Sequence, residues 1–137
     1  MSNFRDNGTV ALKNDHKHYL SWTTDGDCRA DQNEINTEEK WTMMINDATN
    51  TCKFGKPLGN GLYSWMSTTL DKHVNCKASW EDATEWQIEK HGAKCAFKAV
   101  GGDYLSNDFP FSAKDRQVLA DRTRVGAWEL FDIISLV

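Results

Sequence analysis

Apolar and polar residues alternate along this chain in short runs of period two, and the runs return in the same order three times. Val10 and Leu12 face one way and Ala11 and Lys13 the other, the pattern of a half-buried strand. A polar turn at 14–17 follows, then a second strand opening at Tyr19-Leu20. The polar loop 23–27 leads to a third strand through Cys28 and Ala30. The long polar stretch 31–40 precedes a fourth strand at Trp41-Thr42-Met43-Met44-Ile45. A third copy reads Cys95 and Phe97, the turn 100–103, Tyr104-Leu105, Val118 and Ala120, then Trp128, Leu130 and Ile133. The second copy is looser: Cys52 and Phe54, the turn 57–61, Leu62-Tyr63, Val74, Cys76 and Ala78, then Trp86 and Ile88. An extra loop residue beside Pro57 breaks its strict alignment. Gly and Asn gather between the runs, as hairpin turns require. No segment reads as a helix beyond a single turn at 80–85.

The recurrence is a true internal repeat. Tyr19-Leu20-Ser21, Leu62-Tyr63-Ser64 and Tyr104-Leu105-Ser106 put their serines 43 and then 42 residues apart. Trp41, Trp86 and Trp128 follow at spacings of 45 and 42, and Ala30, Ala78 and Ala120 keep the same order. A fixed period in this range marks a repeat architecture. The copies run approximately 8–47, 48–91 and 92–137 within one domain spanning 1–137. Four strands in each of three copies make twelve. Antiparallel strands must hide their edges, which a closed barrel does. The expected fold is all-β, a β-trefoil: a six-stranded barrel capped by three hairpins about a pseudo-threefold axis. A β-sandwich is the alternative, but it does not demand this period.

Three pairs of segments carry a family resemblance. They are the segments from Lys13 to Ser21 and from Lys98 to Ser106, Val118-Leu119-Ala120-Asp121-Arg122 with Gly126-Ala127-Trp128-Glu129-Leu130-Phe131, and Val74-Asn75-Cys76-Lys77-Ala78 with Trp86-Gln87-Ile88-Glu89. The pattern resembles the fascin and hisactophilin group of β-trefoils over essentially the whole chain. The resemblance implies the trefoil fold and, for function, actin binding or bundling. Fascin links four trefoils where this chain has one. Hisactophilin is crowded with histidine where this chain has four, His16, His18, His73 and His91. No actin-contact residue transfers position by position.

Charge narrows the partners. The net charge is −4 with no Lys/Arg cluster, which argues against nucleic acid and against docking on anionic lipid. No apolar run reaches the roughly 18 residues of a membrane span. The polar start, Met-Ser-Asn-Phe-Arg-Asp-Asn, lacks the apolar stretch of a signal peptide. The expectation is a cytoplasmic protein, with non-classical secretion still open, acting as a monomer or homodimer. All four cysteines stand where another copy has an aliphatic residue, so they read as reduced core thiols. No CxxC or HxxxH spacing suggests a metal, and no cofactor motif appears.

No nucleophile, base and orienting group come together in the sequence, so no catalytic residue is assigned. Ser21, Ser64 and Ser106 sit inside the repeat as strand-end hydroxyls. Aromatic residues beside loop acids are the candidates for binding: Trp22 with Asp25 and Asp27, Trp65 with Asp71, and Phe109 with Asp108. A flat ring covers the C–H face of a sugar while a carboxylate accepts its hydroxyl hydrogen bonds. Three matched loops would add avidity on a crowded glycan. The competing reading places these rings in the core of the hairpin cap. Trp41, Trp86 and Trp128 read as core, and Trp80 stands outside the repeat pattern. The preferred function is lectin-like, non-catalytic glycan recognition, although the Gln-x-Trp motif of ricin-type trefoils is absent. A fascin-like protein binding F-actin is the alternative, and a protease inhibitor using loop 31–40 is a third possibility.

Overall fold

The computed structural model describes residues 3–14, 17–69, 73–107, 118–126 and 129–136. Among the described residues twelve strands follow in chain order: β1 (Arg5–Asn14), β2 (Tyr19–Trp22), β3 (Cys28–Gln32), β4 (Trp41–Asn46), β5 (Thr51–Gly59), β6 (Leu62–Thr68), β7 (Val74–Ala78), β8 (Trp86–His91), β9 (Lys94–Ala99), β10 (Tyr104–Asn107), β11 (Val118–Arg122) and β12 (Phe131–Ser135). A short 3-10 turn, Thr37–Glu39, precedes β4. Six strands close a ring: β1 pairs β4, β4 pairs β5, β5 pairs β8, β8 pairs β9, β9 pairs β12, and β12 returns to β1. The hairpins β2–β3, β6–β7 and β10–β11 cap it. Every pair is antiparallel, and ring closure removes the barrel's edges. This is a β-trefoil.

The interior is stacked in threes. Val10, Cys52 and Cys95 stand opposite Trp41, Trp86 and Phe131 in the three strand pairs. Two residues on, Leu12, Phe54 and Phe97 fill the centre, with Phe54 and Phe97 meeting edge-on at 5.2 Å between centroids. Leu20, Met66 and Leu105 come from the capping hairpins, and all nine side chains of these last three triads except Leu12, Leu20, Met66 and Leu105 are aromatic. Burying each aromatic ring contributes about 1.5–3 kcal/mol.

This register corrects two equivalences suggested by the sequence. The third counterpart of Trp41 and Trp86 is Phe131, not Trp128, which lies outside the described residues; the spacing is then 45 and 45. In the second repeat, Ser67 and Cys76 match Ser21 and Ala30, in place of Ser64 and Ala78. The cause is an insertion. Cys52 to Ser67 spans 15 residues, whereas Val10 to Ser21 and Cys95 to Ser106 each span 11. The extra length forms the outer end of the β5–β6 hairpin, turning at Asn60-Gly61, both with positive φ. Leu58, Leu62 and Tyr63 are exposed there.

The cysteines are free: Cys28, Cys52 and Cys76 are buried and Cys95 is half-buried. Burial pushes the Cys76 thiol up to about 12 and raises Cys28 and Cys52 as well, which suppresses the reactive thiolate.

Two equivalent indoles differ in their polar edge. Trp41 Nε1 donates to the Leu20 carbonyl at 3.0 Å. Trp86 Nε1 is buried with no hydrogen-bond partner among the described residues; the matching carbonyl, of Met66, accepts Thr84 N instead. Trp86→Phe, which copies Phe131, is therefore expected to cost about 1 kcal/mol less than Trp41→Phe, because only the latter strands a satisfied carbonyl. Urea denaturation midpoints of the two variants check this.

Candidate functional site

An open cleft of about 320 Å³ lies at the first repeat, lined by Ser21, Trp22, Thr23, Thr24, Arg29, Gln32, Asn36, Glu38 and Glu39. Its back wall is the end of β2. Its sides are loop 23–27, two side chains of β3 and the 3-10 turn before β4.

Loop 23–27 is a closed turn held by a neighbouring repeat. Thr23 N donates to the Asp27 carbonyl (2.9 Å) and Gly26 N to the Thr23 carbonyl (3.1 Å). Thr23 Oγ1 accepts Asp27 N and donates to the Asp25 carboxylate. Gly26 has φ +91°, and a Cβ there would stand 2.5 Å from the Lys77 stem, so only glycine fits. From the second repeat, Cys76 N donates to the Gly26 carbonyl at 2.7 Å. Lys56 Nζ donates to the carbonyls of Thr23 (2.8 Å) and Thr24 (3.3 Å) and sits 4.9 Å from the centre of the Trp22 ring.

The opposite wall is fixed by Glu39. Its Oε2 accepts the Ser21 hydroxyl at 2.6 Å and its Oε1 accepts Asn36 N at 2.8 Å, both charge-assisted. The third repeat repeats the device: Ser106 Oγ and Gly126 N donate to Glu129 at 2.7 Å each. In the second repeat Thr84 holds the place of the glutamate, and its Oγ1 accepts Thr68 N at 2.9 Å.

The residues singled out in the sequence fall in different places. Trp22 lines the cleft, but its indole is 6% exposed, its N–H donates to the Lys40 carbonyl at 2.9 Å, and one ring face meets Lys56. Asp25 and Asp27 are exposed on the loop that forms the rim. The Thr23 hydroxyl and a backbone N–H hold the Asp25 carboxyl below its ordinary value. Trp65 lies elsewhere. Its register matches Tyr19 and Tyr104, so it is not the counterpart of Trp22. It packs across Gly55, whose missing Cβ would stand 2.8 Å from the ring. Trp65 meets Trp80 edge-on at 4.7 Å, Trp80 meets Phe4 at 5.1 Å, and Lys53 Nζ lies 4.1 Å from the Trp80 ring. Burial lowers the Lys53 pKa. Trp22 and Trp65 are thus packing rings in unrelated positions, and the picture of matched stacking platforms is corrected on both counts. Asp71, Asp108 and Phe109 lie outside the described residues.

Arg29, Gln32, Asn36, Glu38 and Glu39 were missed from sequence. The signal for Glu39 was present: a glutamate two positions before Trp41 and another, Glu129, two before Phe131. Chemically the cleft mixes guanidinium and amide donors with carboxylate, amide and hydroxyl acceptors. A polyol, whose hydroxyls both donate and accept, matches such a lining. One arginine beside two glutamates is a poor phosphate site. Among the described residues no group of three His, Cys, Asp or Glu side chains could hold a metal ion, and no helix is long and apolar enough to cross a membrane.

No protein-family model matches the chain, and no curated protein sequence matches it. Solved structures do. A mosquitocidal holotoxin aligns over 96% of this chain at 12% identity and TM-score 0.78, the chain spanning only 16% of that protein's length. The Rhizoctonia solani agglutinin aligns over 94% of this chain and 95% of its own, at 17% identity and TM-score 0.71. The Macrolepiota procera ricin B-like lectin, solved in complex with lactose, aligns over 96% and 98% at 12% identity and TM-score 0.69. The shared feature is the fold. At these identities the likeness carries architecture, and function has to be argued from the site.

Proposed function

We propose that this chain is a non-catalytic carbohydrate-binding protein and that the first-repeat cleft takes a neutral sugar residue. The observation that carries this reading is the cleft's lining: Arg29, Gln32, Asn36 and Glu38 present donors and acceptors around one open space, with the wall behind them held rigid by Glu39 and Lys56. Preorganised polar groups lose little freedom on binding. The lactose complex of the similar Macrolepiota procera lectin supports the class of ligand. Recognition here relies on hydrogen bonds.

The fascin- and hisactophilin-like pattern, with its implied actin binding, rests on the sequence alone and is the competing outcome of the test. A glycan array run beside filament co-sedimentation separates the two. The expected result is array signal for a neutral glycan and no pelleting with filaments. Arg29→Ala and Glu38→Ala should each weaken sugar binding about ten- to hundredfold, the worth of a hydrogen bond to a charged group. Stoichiometric pelleting without array signal would reverse the assignment.

A further inference from the structure

The three repeats differ at one place on their outer face. In the first, Lys13 pairs with Tyr19 and its ammonium lies over the tyrosine ring, 5.6 Å from the centroid. In the third, Lys98 pairs with Tyr104 and lies over that ring at 5.8 Å. The register puts Gly55 and Trp65 at this place in the second repeat. The charged stem is gone, and a larger ring lies across the glycine. Further rings join it. Tyr63 meets Trp65 at 5.6 Å, Trp80 meets it at 4.7 Å, and Phe4 backs Trp80 at 5.1 Å. Trp65 is buried beneath, Trp80 is half-buried and Tyr63 is 40% exposed. Lys53, standing where the other repeats have Ala11 and Ala96, fixes Trp80. Its Nζ donates to the Trp80 carbonyl at 2.8 Å and lies 4.1 Å from the centre of the ring. A ring held this way loses little freedom when a partner covers it.

We propose that the rings of Trp80 and Tyr63 form a docking face for an extended, proline-rich polypeptide segment that carries lysine or arginine. Rings set edge-on stand as ridges beside a furrow, the arrangement into which polyproline chains dock. The row Tyr63–Trp65–Trp80, with steps of 5.6 and 4.7 Å, would lie along roughly three residues of a chain rising about 3.1 Å per residue. Charge selects the flank of the segment. Glu81 and Asp82 are exposed on the turn that carries Trp80. Desolvation lowers the Lys53 pKa while the Glu85 and Glu81 carboxylates oppose it, so both acids act close to the rings. A cation on the segment meets a complementary field there. The same acids disfavour a second copy of this chain, which would set like charge against like across a twofold contact. Ring planes at 73° and 88° offer a sugar no common flat face. None of these residues lines the first-repeat cleft, and the inference stands apart from the carbohydrate reading.

Titrating the full chain with a short oligoproline flanked by arginines, followed by amide and indole chemical shifts, tests this. The expected result is saturable shifts centred on Trp80 and Tyr63. Binding should weaken about tenfold when glutamates replace the flanking arginines. Trp80→Ala should also weaken it about tenfold, as loss of an aromatic anchor does. Tyr63→Ala removes an exposed ring and should weaken binding severalfold, which keeps the test alive if Trp80→Ala unfolds. Glu81→Lys should weaken the arginine-flanked peptide and strengthen the glutamate-flanked one, a reversal that a packing role would not give. No saturable shift at Trp80 and Tyr63, or equal affinity for the two peptides, overturns the proposal. So do shifts there that follow protein concentration alone, the mark of self-association. Shifts there with galactose and none with the peptide overturn it as well, in favour of a sugar platform.

Discussion

Trp41→Ala is expected to lower the free energy of unfolding by about 3–5 kcal/mol, the cost of emptying an aromatic site in a packed core. Trp41 is fully buried and stands opposite Val10, at the place where β4 joins the ring to β1. Its indole N–H also satisfies the Leu20 carbonyl, so truncation leaves a cavity and an unpaired acceptor together. The loss is a large share of the 5–15 kcal/mol by which a domain is ordinarily stable. Urea unfolding followed by tryptophan fluorescence and circular dichroism measures it. A loss below 1 kcal/mol would mean that the barrel collapses around the gap, contrary to the close packing of its two aromatic layers.

Glu39→Ala is expected to cost about 2–4 kcal/mol, through two donors rather than through a cavity. The carboxylate is 2% exposed and accepts Ser21 Oγ and Asn36 N. Without it the hydroxyl and the amide lose their charged partner and the 3-10 turn loses its tie to β2. Glu39→Thr installs the second repeat's own solution, since Thr84 occupies that place, and should recover part of the loss. The same denaturation series reads both. Equal stability of Glu39→Ala and the parent would show that the buried carboxylate's desolvation cancels its hydrogen bonds.

Why some of this was legible and some was not follows from how each feature is encoded. The fold is written locally: period-two runs at Val10-Leu12 and Cys95-Phe97 state strands, and their return in threes states the trefoil. The segment Val118-Leu119-Ala120-Asp121-Arg122, picked out by pattern, is β11 itself. Register in the second repeat was hidden because the inserted hairpin end supplies a decoy, Leu62-Tyr63-Ser64, three positions before the true counterpart Trp65-Met66-Ser67. Trp128 misled in the same way: it lies three residues from Phe131, and an indole attracts the eye more than a phenyl ring. The cleft could not be read at all from one repeat. Its loop is shaped by Lys56, Cys76 and Lys77, which arrive from the next repeat, and an isolated lysine in a strand gives no hint that it reaches two carbonyls of a distant loop. For Trp22 and Trp65 the stacking reading gave way on similar grounds, since whether these rings face water depends on Lys40, Gly55 and Trp80, which lie ten or more residues from them in the chain.

Because β12 lies beside β1, with Leu136 N bonded to the Thr9 carbonyl at 2.8 Å, the strands of the first and last repeats adjoin just as those of consecutive repeats do. The architecture therefore has no privileged origin: a polypeptide opened at an outer turn such as Asn60-Gly61, and sealed across the present ends, would describe the same circle from a different starting point.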